Sequence, residues 1–194
     1  MQMEVSEALP EYERYTYADY CGWGDEKRWE LLDGVPYALS APSQAHQEIS
    51  GSLHNQIYSY LKGKSCKVFA APFDVRLNAD AGDDTVVQPD LLVVCDQAKL
   101  DGKCCVGAPD MVIEILSPST VLRDRVLKNR QYLRAGVREY WIVDPDVKMV
   151  TAHVLQNGEY VAHPYGSAEA ISVSVLEGCV IDLIEVFGGY GELS

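Results

Sequence analysis

Three short apolar runs occupy the middle of the chain: Leu91-Leu92-Val93-Val94-Cys95, Met111-Val112-Ile113-Glu114-Ile115-Leu116 and Tyr140-Trp141-Ile142-Val143. Each is bounded by Pro, Gly or Asp and rich in β-branched or aromatic residues, which predicts buried strands. Elsewhere the period changes. Ile49, Leu53, Ile57 and Leu61 recur at helical spacing, predicting an amphipathic helix from an N-cap at Ser43 to a stop at Gly63. A second helix is expected from Val121 to about Ala135, capped by Ser119 or Thr120 and stopped by Gly136. Thr16 with Asp19 three residues on predicts a short helix ending near Gly22 or Gly24.

Turn chemistry supplies the connections. Asp33-Gly34 lies between two extended runs, Arg28–Leu32 and Val35–Leu39, and Asn157-Gly158 separates Met149–Leu155 from Tyr160–His163, so both pairs read as hairpins. Lys67–Ala70 and Phe73–Leu77 read as one strand bent at Pro72. The acidic stretch Asn78–Asp84 lacks the twelve-residue pattern and terminal Glu of a calcium loop and reads as solvated. Ile171, Val173 and Val175 alternate as a further strand, and Ile181–Phe187 reads as a short helical closure. Strands interleaved with helices give an α/β fold, and the 194 residues suit one domain spanning 1–194.

Two carboxylates break the apolar frame. Asp90 follows Pro89 at the mouth of the first run, and Glu114 sits inside the second. Strand alternation puts Glu114 on the face of Val112 and Leu116, near the strand end where α/β sheets place ligands. A buried carboxylate neutralises, pairs or binds a metal. On the helix that follows, Asp124, Lys128 and Tyr132 share one side, while Arg123, Arg130 and Arg134 gather opposite and read as a solvated face. Carboxylates on neighbouring strand ends can share a divalent cation, and a nearby lysine can orient or help deprotonate a water and stabilise developing charge. That is the equipment for metal-assisted attack on a phosphodiester. Oxygen donors with room for water and phosphate suit Mg²⁺ or Mn²⁺. Asp110 also follows a proline, but at about 3.3 Å per strand residue it lies too far from Glu114 to share a metal.

Composition qualifies this picture. The net charge of −13 disfavours non-specific nucleic-acid binding unless a local basic surface or metal intervenes. The six cysteines form no Cys-x-x-Cys pair, so reduced thiols are expected rather than a disulfide framework. With neither a basic, apolar leader nor a membrane-length apolar run, a cytoplasmic protein with no membrane partner is expected.

The run Gln88-Pro89-Asp90, then Glu114-Ile115-Leu116-Ser117-Pro118-Ser119-Thr120, then Asp124, Lys128, Tyr132 and Gly136-Val137-Arg138-Glu139-Tyr140-Trp141-Ile142-Val143-Asp144-Pro145 resembles the small restriction-endonuclease-like proteins of the PD-(D/E)XK nuclease superfamily. Trp29–Gly34 and His46 match its N-terminal half, and the likeness covers about Thr16 to Phe187. The resemblance implies a restriction-endonuclease-like core, a central mixed β-sheet flanked by helices with an added C-terminal β-hairpin. It implies metal ligation by Asp90, Glu114 and the Ile115 carbonyl, with Mg²⁺ or Mn²⁺ as cofactor. The superfamily's lysine two residues after the glutamate is Leu116 here, so Lys128 becomes the catalytic candidate beside Asp90 and Glu114; Glu30, His46 and Tyr132 are accessory candidates. The implied function is endonucleolytic hydrolysis of nucleic acid, chiefly DNA, by a homodimer. The alternatives are an inactive nuclease-fold binding module and a metal-dependent hydrolase of small phosphate esters.

Overall fold

In a computed structural model, the structure describes residues 13–24, 27–118 and 122–188. The three apolar runs become β6 (Leu91–Val94), β8 (Met111–Ile115) and β9 (Glu139–Asp144), the middle of a six-stranded sheet. That sheet is completed by β3 (Lys67–Ala70) on one edge and by β10 (Met149–Gln156) and β11 (Glu159–Gly166) on the other, in the order β11-β10-β9-β8-β6-β3. Only β8 and β9 run parallel, which makes the sheet mixed. The expected C-terminal hairpin is β10–β11, turning at Asn157-Gly158 with both residues at positive φ, as a two-residue I′ loop requires.

Period-two alternation sends the side chains of this sheet into two cores. Leu91, Val93, Met111, Ile113, Ile115, Trp141 and Val143 pack against α2 (Gln44–Leu61), through its Ile49, Leu53, Ile57 and Leu61, and against the C-terminal segments. Each fully buried aliphatic here, Leu53 and Ile57 among them, stabilises the fold by about 1.5–3 kcal/mol. Leu92, Val94, Val112, Leu116, Tyr140 and Ile142 face the other way, towards Tyr132 and Val137. Ser43 caps α2 by accepting from the His46 N–H, and Thr16 with Asp19 forms the capping box of α1 (Tyr17–Cys21).

A second sheet covers that other face. It comprises β1 (Trp29–Leu32), β2 (Val35–Ala38), β4 (Val75–Arg76), β5 (Val86–Val87) and β7 (Cys105–Val106), in the order β2-β1-β5-β4-β7. The single bent strand expected across Pro72 is therefore two strands in two sheets: β3 pairs with β6, whereas β4 pairs with β5 and β7. The Asn78–Asp84 loop is tied to β4 by Arg76 to Asp83 at 2.7 Å and within itself by Asn78 to Asp84 at 2.7 Å.

Three further expectations are corrected. Cys66 immediately precedes β3 and Cys95 immediately follows β6, strands whose register sets Lys67 against Val94, and the two are joined as a disulfide rather than left reduced. Pairing across two distant segments is not visible in cysteine spacing. The alternating Ile171–Val175 run keeps only β12 (Ala170–Ser172), paired with β13 (Val180–Asp182), and the closing helix α4 (Leu183–Phe187) begins after β13. Glu139 is fully buried beside this tail, where Trp141 Nε1 donates at 2.7 Å and the Val175 N–H at 3.0 Å. Among the described residues, no helix is long and apolar enough to cross a membrane.

His153 on β10 stacks on Tyr140 and meets Tyr160 edge-on. Burial pushes its imidazole below the ordinary 6.5, against the raising effect of the Tyr140 and Thr151 backbone. A depressed folded value means that its contribution is complete above pH 6.5 and is lost as pH falls through the folded value. Thermal unfolding midpoints should therefore drop more steeply below pH 6.5 in the wild type than in His153→Phe; parallel pH profiles would refute this.

Candidate active site

Lys128 is the point where the two sheets and the helix meet. Its Nζ lies 2.7 Å from Glu30 Oε1 on β1, 2.8 Å from Glu114 Oε1 on β8 and 3.6 Å from Asp124 Oδ1. Tyr132 donates its hydroxyl to the same Glu114 oxygen at 2.6 Å. Glu30 also accepts the Gln88 N–H at 2.9 Å, which fixes the segment leading into Pro89-Asp90. All five side chains are buried.

The sequence places these groups together through two periodicities. Glu114 follows strand alternation onto the Val112 and Leu116 face, as expected. Asp124, Lys128 and Tyr132 follow helical spacing, but the helix differs from expectation. Its described part opens as a π-helical turn, Arg123–Lys128, and continues as α3 (Asn129–Ala135), which ends at Gly136 with φ +82°. The expected caps, Ser119 and Thr120, and the expected start at Val121 lie outside the described residues. A π turn closes from residue i to i+5, so it brings Arg123 round towards the Lys128 side. The expected solvated arginine face is thereby broken: Arg130 is exposed and Arg134 pairs with Asp33, but Arg123 turns inward with its side chain 11% exposed.

Asp90 lies on the cavity side of this cluster. Its Oδ2 accepts the Ile115 backbone N–H at 2.7 Å and lies 3.1 Å from His46 Nε2. His46 thus reaches the site from the first turn of α2. A strand residue's N–H and C=O address the same neighbouring strand, so the Ile115 carbonyl shares the edge that meets Asp90. Asp110 is elsewhere, accepting from the Cys95 N–H and Arg138. The sequence-predicted set Asp90, Glu114, Ile115, Lys128, Glu30, His46 and Tyr132 is therefore assembled in one place, and Arg123 is the member that sequence reading assigned to solvent.

Electrostatics fix the protonation pattern. Burial alone would lower the Lys128 pKa, but Glu114, Glu30 and Asp124 outweigh it and hold it above the ordinary lysine value. Lys128 is therefore held in its ammonium form. Burial raises the Glu114 pKa well above 4.5, against the pull of Lys128 and with the help of Asp124, Asp90 and Glu30. Desolvation opposes the His46 imidazolium, yet the Asp90 hydrogen bond and charge leave its pKa above 6.5.

Asp90, Glu114, Lys128, Asp124, Arg123 and His46 line a cavity of about 590 Å³. Among the described residues, no three His, Cys, Asp or Glu side chains converge as a ready-made metal cage. The donors nevertheless fit a hard cation: Asp90 Oδ1 and Glu114 Oε2 have no hydrogen bond among the described residues, and a backbone carbonyl lies on the same strand edge. Mg²⁺ takes few protein carboxylates and completes its shell with water and phosphate.

Two packed sheets with a carboxylate–lysine cluster at their junction define a restriction-endonuclease-like α/β protein. The fold matches the crystal structure titled "a putative nuclease belonging to DUF820" from Anabaena variabilis, with a TM-score of 0.73 and 19% identity over 90% of this chain and 98% of that one. Residues 9–183 match the family Uma2, described as "Putative restriction endonuclease", and the chain belongs to that family. It is also 25% identical over 159 residues to an uncharacterized protein of Synechocystis sp., covering 80% of this chain and 82% of the relative.

The cluster also makes a stability prediction. Removing the ammonium leaves Glu30, Glu114 and Asp124 with only the more distant Arg123 guanidinium, 3.8 Å from Glu30 and 4.0 Å from Asp124, as counter-charge, so Lys128→Met should cost about 3–5 kcal/mol in urea unfolding. Adding Glu114→Gln should recover part of that loss. Strict additivity of the two substitutions would show that the groups are not coupled.

Proposed function

We propose that this protein is a divalent-metal-dependent endonuclease that hydrolyses nucleic-acid phosphodiesters, DNA first among them. The observation that carries the reading is the Asp90–Ile115 hydrogen bond of 2.7 Å, because it holds one carboxylate at the strand end that bears the other, Glu114. In this reading Asp90, Glu114 and the Ile115 carbonyl would hold Mg²⁺ or Mn²⁺. When bound, the cation lowers the pKa of a water and offsets charge on the phosphate. Lys128, kept as an ammonium by Glu30 and Glu114, presents positive charge to the pentavalent transition state. Tyr132 fixes one Glu114 oxygen and so leaves the other for the cavity. His46 does the same for Asp90 from the opposite wall.

The cavity also favours a second reading. Its volume of about 590 Å³ falls in the range of small-molecule sites, as a metal-dependent hydrolase of small phosphate esters would need.

Mn²⁺ titration by calorimetry on wild type, Asp90→Asn and Glu114→Gln, with folding checked for each, should show binding lost in both variants. Cleavage of supercoiled and linear DNA should fall at least about a hundredfold in the same variants, the scale of losing one preorganised electrostatic group. Metal binding unchanged in both would remove the assignment, and nucleotide hydrolysis without DNA cleavage would select the second reading. A homodimer that cuts two strands predicts a light-scattering mass near twice the 21.5 kDa chain; the monomer mass would discard that part.

A further inference from the structure

Arg123 is ion-paired with the carboxylate–lysine cluster only at long range. Its side chain is 11% exposed, it lines the cavity with Asp90 and Glu114, and its Nε has no hydrogen-bond acceptor among the described residues. The nearest carboxylate oxygens, Glu30 Oε2 at 3.8 Å and Asp124 Oδ1 at 4.0 Å, lie beyond hydrogen-bond range. The guanidinium lies 5.8 Å from the centre of the Tyr37 ring. A buried guanidinium donor without an acceptor is costly unless a ligand supplies one. The π turn, which departs from ordinary helical geometry, is what carries this side chain to the cavity.

We infer that Arg123 is a phosphate-binding residue of the substrate site, donating its guanidinium fork to a non-bridging oxygen pair of the phosphodiester. The inference rests on the endonuclease reading and adds the group that receives the anionic substrate. The chemistry favours arginine. Its planar fork matches phosphate geometry and never loses its charge. Lys128, a point charge already held by Glu30 and Glu114, has no planar fork with which to take an oxygen pair. In a chain of net charge −13, an inward cation also confines attraction for a polyanion to the cavity.

The test is fluorescence anisotropy with a labelled DNA oligonucleotide, single- and double-stranded, in Ca²⁺ across a NaCl series. Wild type, Arg123→Gln, Arg123→Lys and Arg130→Gln are compared, with melting curves for each. Arg123→Gln should bind about 10–100-fold more weakly, with a salt slope smaller by about one counterion. Arg123→Lys should fall between it and wild type, because it keeps the charge and loses the fork. Arg130→Gln, which removes the same charge from the exposed side of the helix, should leave affinity within about twofold. Equal affinity and slope for Arg123→Gln and wild type would overturn the inference while leaving the nuclease reading intact, and so would a lowered melting temperature with unchanged binding. An Arg130→Gln loss as large as that of Arg123→Gln would also overturn it, since the effect would then be diffuse charge. No binding by the wild type at any salt concentration would overturn the nuclease reading and the inference with it.

Discussion

The ammonium of Lys128 is the constraint on which the rest of the site depends. It is bonded at once to Glu30 of the small sheet and Glu114 of the large one, and it is carried by the helix packed between them. Three structural layers therefore meet at one nitrogen atom. A buried charge survives only with partners in good geometry, so the relative placement of the layers is set by electrostatics as much as by the apolar cores on either side. Tyr132 adds a neutral donor to the same carboxylate.

The excess of carboxylates over cations in this cluster has a chemical consequence. Glu114 is raised by burial and Lys128 by its acidic neighbours, so the site as a whole is electron-rich and proton-retaining. Lys128 has two protein carboxylates within 2.8 Å, whereas the Arg123 Nε has no hydrogen-bond partner among the described residues.

Much of this was legible in sequence. Gly, Pro and Asp boundaries located β6, β8 and β9, and Asp33-Gly34 and Asn157-Gly158 marked both hairpin turns. Alternation gave the correct face for Glu114, and helical spacing put Asp124, Lys128 and Tyr132 together. What escaped was non-local. Three of the five strands of the small sheet, β4, β5 and β7, have two residues each, too short to carry a period. The Cys66–Cys95 bond depends on the register of β3 with β6, and Arg123 depends on a helical turn with one residue more than a wheel assumes. Glu30 was readable as an accessory candidate; its convergence on Lys128 required the distance between sheets to be known.

Pro89 lies opposite Ile115 in the extension of the β6–β8 register, which pairs Leu91 with Ile113. The Ile115 N–H nonetheless goes to the side chain of Asp90 and not to a backbone carbonyl. A carboxylate has replaced the next rung of the ladder. The two strands consequently part company at a rung supplied by a side chain, so the orientation of the Asp90 carboxylate and the end of the seam between β6 and β8 are set by one and the same bond.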